Sequence, residues 1–161
     1  MIKQFVYKRR IIVMSYNGIN IDLDNLLKLT ETQKVAFLRV FVKMASIDGH
    51  FDETEKVFVK KIADDLGISP EQTEDIMKNL DNRFIIKEAS LIKDRSVALE
   101  LIKEMCLLGH ADNDLSDEEV LFIGEVGQAM GIELEKIEQI SNWVIDYLIL
   151  NDQGKIIFEK I

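Results

Sequence analysis

The chain has 161 residues, of which 47% are hydrophobic, and its 29 acids against 20 Lys and Arg give a formal charge of −9. That is enough apolar mass for one compact core, and no apolar run approaches the ~20 residues of a membrane-spanning helix. An acidic body repels phosphate backbones, which argues against a nucleic-acid partner and favours cations or basic proteins.

Residues 1–13 carry Lys3, Lys8, Arg9 and Arg10 and no acid, so the remainder holds 16 bases against 29 acids, a net of −13. The apolar stretch Ile11-Ile12-Val13-Met14 is too short for the h-region of a signal peptide, and no small-residue cleavage site follows it. Residues 1–20 therefore read as a basic arm, either disordered or lying ahead of a true start at Met14. Residues 21–161 read as the folded domain. The single Cys106, in the run Met105-Cys106-Leu107-Leu108, allows no internal disulfide. It fits a reducing, cytoplasmic setting and a core position rather than a nucleophile.

In chain order, Ile21–Leu29 has the makings of a short helix. Thr30-Glu31-Thr32-Gln33 has the form of a capping box and opens a helix over 31–47, whose stripe Phe37, Val40, Phe41, Met44 and Ile47 lies on one face. A second helix spans 53–66 with Phe58, Ile62 and Leu66 inward, and Gly67 closes it. Ser69-Pro70, an N-cap followed by proline in the first turn, starts a third that runs to about Leu80. The link 81–92 has no clear period and holds at most a short helix around 87–91. Three more helices follow, over about 93–111, 117–130 and 134–150, with Gly131 as a second stop. No segment alternates as a strand should. The tail beyond Asn151-Asp152-Gln153-Gly154 carries no clear signal.

The second set of helices repeats the first at an offset of 64. Asp48 falls on Asp112, Glu55 on Glu119, Phe58 on Phe122, Gly67-Ile68 on Gly131-Ile132 and Ile76 on Ile140. The expectation is an all-α, single-domain bundle of two pseudo-repeated three-helix units, about 31–80 and 93–150. The last helix departs from its counterpart: Trp143-Val144-Ile145-Asp146-Tyr147-Leu148-Ile149-Leu150 is apolar nearly all round. Such a helix is buried or covers a second face with a partner. Burial within the domain is the simpler expectation, and a homodimer contact is the alternative.

Each unit contains an acidic loop. Asp48, Asp52 and Glu55 converge in the first, and Asp112, Asp114 and Glu119 in the second. Asp52-x-x-Glu55 and Ser116-x-x-Glu119 also have the form of capping boxes, which accounts for the glutamates without any ligand. The aspartates at 48 and 112 are harder to place, because each faces the negative end of the preceding helix at a cost of roughly 0.3–1 kcal/mol. A hard divalent cation, Ca²⁺, Mg²⁺ or Mn²⁺, would relieve that crowding. Capping and cation binding both stay open here. The 12-residue calcium loop is excluded, since its sixth position is Asp117 rather than Gly and its twelfth is Ile123 rather than Glu. His50 and His110 have no His or Cys partner at ligand spacing, so zinc is not expected.

The stretch Ala45-Ser46-Ile47-Asp48-Gly49-His50-Phe51-Asp52-Glu53-Thr54-Glu55 resembles the loop signature of the TerB-like tellurite-resistance family. The second stretch, Ala111-Asp112-Asn113-Asp114-Leu115-Ser116-Asp117-Glu118-Glu119, resembles it with Asn113 in place of the usual Gly. The resemblance covers about residues 30–148. It implies an all-α fold of duplicated units, divalent-metal binding through the loop acids, and a link to tellurite or chemical stress. A direct chemical action on tellurite does not follow from the resemblance, and the protein partner expected of an interaction module is not named by the sequence.

A rival reading takes the aligned pairs Glu71-x-x-Glu74 and Glu135-x-x-Glu138. Two carboxylates on one helical face are how all-α nucleotide pyrophosphohydrolases hold Mg²⁺. These glutamates sit in first turns, where acids are favoured anyway, and no Lys or Arg cluster stands ready for phosphates. The expected function is thus a non-enzymatic divalent-metal-binding or protein-interaction module. A Mg²⁺-dependent phosphohydrolase is the alternative.

Overall fold

The computed structural model describes residues 14–16, 19–21, 26–49, 51–110 and 114–159, with side chains from Leu26 onward. Seven helices are described: α1 Glu31–Ser46, α2 Glu53–Asp65, α3 Pro70–Lys78, α4 Asn82–Ala89, α5 Arg95–His110, α6 Asp117–Ala129 and α7 Leu134–Ile157. The all-α expectation holds.

Six of the seven helices start where a short polar side chain accepts from an early amide, while α7, entered at Glu133, has no side-chain cap. Thr30, Asp52, Ser69 and Ser116 each accept from the amide three residues on, and a Gln or Glu returns the bond to the cap backbone. Two of the stops share one geometry. Gly67 and Gly131 have φ of 75° and 80°. Gly67 N–H donates to Asp64 O and Ile68 N–H to Ala63 O, while Gly131 N–H donates to Gln128 O and Ile132 N–H to Gly127 O. This is the Schellman closure, in which a left-handed residue lets the chain fold back and meet its own last carbonyls.

The centre of the molecule is α1 against α5. Phe37, Leu38, Val40 and Phe41 of α1 and Ala98, Leu101, Ile102 and Met105 of α5 are all buried. Around this pair, α2, α3 and α4 pack on α1, while α6 and α7 pack on α5. Cys106 is buried on α5 and its thiol is pushed up to about 11 by burial, which fits a core role rather than a nucleophilic one.

Several boundaries differ from the sequence expectation. Met14–Tyr16 and Ile19–Ile21 form an antiparallel ladder, β1 and β2, in register Met14↔Ile21. Three-residue strands are too short to show alternation, and only the intervening Asn17-Gly18 hinted at a hairpin. The described part of the expected helix at 21–29 is a single turn, with Leu29 N–H donating to Leu26 O at 3.1 Å. The link helix starts earlier than expected because Asp81 Oδ1 accepts from Phe84 N–H at 3.0 Å and caps α4.

The largest correction concerns α7. It runs through Asn151-Asp152-Gln153-Gly154 to Ile157, and only Ile137 and Val144 on it are buried. Trp143, Tyr147, Ile149, Leu150, Ile156 and Ile157 are exposed. Burial of the apolar final helix within the domain is therefore not what the chain does: α5 and α6 supply the main packing of α7 on one side, and its other apolar side chains stay exposed.

Candidate functional site: the acidic loops

The first loop is built by the end of α1 and the start of α2. The α1 ladder closes at Ile47, and Gly49, at φ 80°, donates its N–H to Ser46 O at 3.0 Å. Asp48 is thereby set, exposed, directly after the C-terminal turn of α1. Phe51 is half-buried and packs on the core, which anchors the middle of the loop. Asp52 then caps α2. Its Oδ1 accepts from Glu55 N–H at 2.8 Å, and Glu55 Oε2 accepts from Asp52 N–H at 2.8 Å. The capping reading of Asp52 and Glu55 is therefore realised in full.

The second loop has the same exit. Ser116 Oγ accepts from Glu119 N–H at 3.2 Å, and Glu119 Oε2 accepts from Ser116 N–H at 2.8 Å. Leu115 takes the place of Phe51 and folds over α5 so closely that a Cβ on Gly109 would stand 2.1 Å from Leu115 Cδ2. Asp114 is exposed. Asp112 and His50 lie outside the described residues. His110 ends α5, and its Nε2 is buried without a hydrogen-bond partner among the described residues.

The electrostatics around α2 are those of a solvated helix start. Lys56 Nζ lies 2.7 Å from Glu53 Oε1 and holds that carboxyl below its usual range. Among the described residues, no three His, Cys, Asp or Glu side chains are grouped so as to hold a metal ion. The rival pairs are similarly spread. Glu74 is engaged by Lys60 at 3.4 Å and Lys78 at 3.9 Å. Glu71 and Glu135 are exposed on first turns, and Glu138 is exposed in the second turn of α7.

Sequence reasoning missed the two most deeply buried charges, Arg39 and Glu104. Arg39 on α1 is nearly inaccessible, and its guanidinium spans α3 and α4: Nε donates to Glu88 Oε2 at 2.6 Å, Nη2 to Asp75 Oδ2 at 3.0 Å and Nη1 to Asn79 O at 3.1 Å. It also sits 5.1 Å from the Phe84 ring centroid. Glu104 on α5 is fully buried, and Lys103 Nζ stands 3.1 Å from its Oε1 without hydrogen-bond geometry. Burial raises the Glu104 carboxyl to about 7 against the opposing pull of Lys103. Both residues belong to the architecture rather than to the loops. A polar residue interrupting an apolar helical stripe was the only hint the sequence offered.

Residues 23–78 match the family model described as tellurite resistance protein TerB. The match takes in the first acidic loop and ends with α3, so this part of the chain is TerB-like, as its loop suggested. No curated protein and no solved structure matches the chain. No helix among the described residues is long and apolar enough to cross a membrane.

Proposed function

We propose that this TerB-like chain is a non-enzymatic module of a tellurite or chemical stress response, working in the cytoplasm by binding a divalent cation at its acidic loops and by docking a protein partner. The carrying observation is the placement of Asp48, exposed immediately beyond the last turn of α1, four residues before the Asp52–Glu55 box. A carboxylate there meets the carbonyl end of the helix, and a hard cation relieves the repulsion while drawing on oxygen ligands of both. Capping does not compete with this, because a carboxylate has two oxygens and about four lone-pair sites, and each capping bond takes one. The acids are not already clustered, so binding must draw Asp48, Asp52 and Glu55 together. In the second loop the same role falls to Asp112, Asp114 and Glu119. Ordering cost makes the site weak.

Calorimetric and thermal-shift titrations with Ca²⁺, Mg²⁺ and Mn²⁺ test the reading. A cation that binds only the folded loop must raise the melting temperature by linkage. Asp48→Asn combined with Asp112→Asn should remove that rise. If wild type shows neither heat nor stabilisation at millimolar cation, capping alone explains the loops. A panel of nucleoside triphosphates with Mg²⁺ is expected to show no turnover, and hydrolysis of any of them would favour the carboxylate-pair enzyme.

A further inference from the structure

Helix α7 is 24 residues long, or roughly 36 Å at 1.5 Å per residue. Ile137 and Val144 anchor its first half, with Ile140 and Leu148 packed beside them. Beyond Leu148, no residue of α7 belongs to the core. The projecting half still carries an ordered apolar stripe. Trp143, Tyr147, Leu150, Gly154 and Ile157 follow one another at steps of four, three, four and three, which is the spacing of a coiled-coil seam. The stripe is preorganised at its start, where the Trp143 and Tyr147 rings stack with centroids 5.5 Å apart.

Gly154 is the odd member. Glycine inside a helix costs about 1 kcal/mol relative to alanine, yet a Cβ at this position would meet nothing within 4 Å. The fold of one copy therefore has no use for the missing side chain. Gly154 instead leaves the floor of an open depression of ≈ 460 Å³ bare, with Tyr147, Leu150, Ile157 and Phe158 as its apolar wall and Asn151, Gln153 and Lys155 along its polar rim. A side-chain knob and a hollow thus lie on one stripe, one helical turn apart.

We propose that this stripe is the contact surface for a second copy of the chain, docked antiparallel through α7, with Leu150 of each copy seated in the Gly154 hollow of the other. A two-fold axis at the level of Asp152 makes both insertions at once and sets Tyr147 opposite Ile157 twice, as an isologous interface requires. A surface bearing both knob and hole at symmetric distances fits itself before it fits an unrelated partner. Charge agrees. Two chains of formal charge −9 repel, but the residues flanking the seam at the axis, Asn151 and Gln153, are neutral. Asp152 falls on the far side of the helix, two residues from Leu150 and from Gly154, in an ion pair with Lys155 at 2.9 Å. Leu150, Ile157 and Phe158 are 68%, 71% and 70% exposed and Tyr147 is 38% exposed. Together they offer on the order of 500 Å² per copy, below the ~800 Å² of a standard interface, which is the size of a weak, reversible dimer contact.

This deepens the partner half of the proposed function and is independent of the cation half. The test is therefore run in EDTA, so that a loop without metal affinity leaves it unaffected. Sedimentation velocity and light scattering across the micromolar range should show a concentration-dependent species of twice the 18.5 kDa chain mass. Leu150→Asp and Gly154→Leu should each weaken the dimer at least tenfold while the melting curve stays cooperative. Gly154→Leu is the sharper variant, because it adds apolar surface and helix propensity yet blocks the hollow. Mixing Tyr147→Cys with Ile157→Cys protein should give a disulfide between the two variants and none within either alone. A wild-type monomer throughout the range, or a dimer untouched by Gly154→Leu, overturns the proposal.

Discussion

Arg39 Nε lies 2.6 Å from Glu88 Oε2, joining the middle of α1 to the last turn of α4 with both side chains largely withdrawn from water. The same guanidinium holds the Asp75 carboxyl below its usual range and accompanies α3 to its end at Asn79. Breaking one partner of a buried ion pair leaves the other charge uncompensated, typically at about 3–5 kcal/mol. Arg39→Met is therefore expected to lower the urea-unfolding free energy by about 3 kcal/mol. Arg39→Lys should recover little of it, since an ammonium cannot fork to Glu88, Asp75 and Asn79 together. Wild-type stability in the lysine variant would show that the fork contributes nothing.

Glu104 predicts an unusual pH dependence. Its folded value is raised to about 7 from 4.5. Between those two values the folded chain holds a proton that the unfolded chain has released, so stability falls as pH rises through this window. Below about 4.5 both states are protonated and the effect vanishes; above about 7 the full penalty, on the order of 3 kcal/mol, is present. Glu104→Gln should flatten the slope of melting temperature between pH 5 and pH 8. A slope equal to wild type would mean that Glu104 is not the group responsible.

Three glycine positions separate conformational need from surface accident. Gly67 and Gly131 sit at φ 75° and 80°, where an alanine is strained by about 1–2 kcal/mol. Gly154 is helical and open. Gly67→Ala and Gly131→Ala should each lower the melting temperature. In the monomer background of Leu150→Asp, Gly154→Ala should raise it slightly. Equal responses at the three sites would contradict the Schellman closures.

The caps of α2 and α6 give the fourth prediction. Asp52→Ala and Ser116→Ala each strip an acceptor from an N-terminal amide and should destabilise by about 1 kcal/mol, measured by chemical denaturation without added cation. An extra, cation-dependent loss confined to Asp52→Ala would mark the first loop as a cation site.

Much of the helical order was readable because its causes are local. A Ser, Thr or Asp with Glu or Gln three residues on fixes a start, and Gly67 and Gly131 fix stops, through bonds spanning only a few residues. The link helix starts earlier than its weak period suggests, because the start is set by one local bond, the Asp81 cap on Phe84 N–H. The β1–β2 ladder was missed because three residues carry no period. In the candidate site, Asp52, Glu55, Ser116 and Glu119 were legible as caps, and the caps formed. Asp48 was legible as an anomaly, and it remains the residue on which the cation reading depends.

Sequence alone determined the helical class, the two Gly-terminated helices following acidic loops, and a TerB-like first unit. Those features rest on near-neighbour hydrogen bonding and on the 3.6-residue period, which the chain carries wherever it is placed. Only the tertiary structure decided which charges are buried and which apolar face is bare. Arg39 is satisfied because α3 and α4 bring it Asp75, Asn79 and Glu88 from 36 to 49 residues away. The apolar second half of α7 stays exposed because α5 and α6 cover only one side of that helix, a fact of packing that no local pattern encodes.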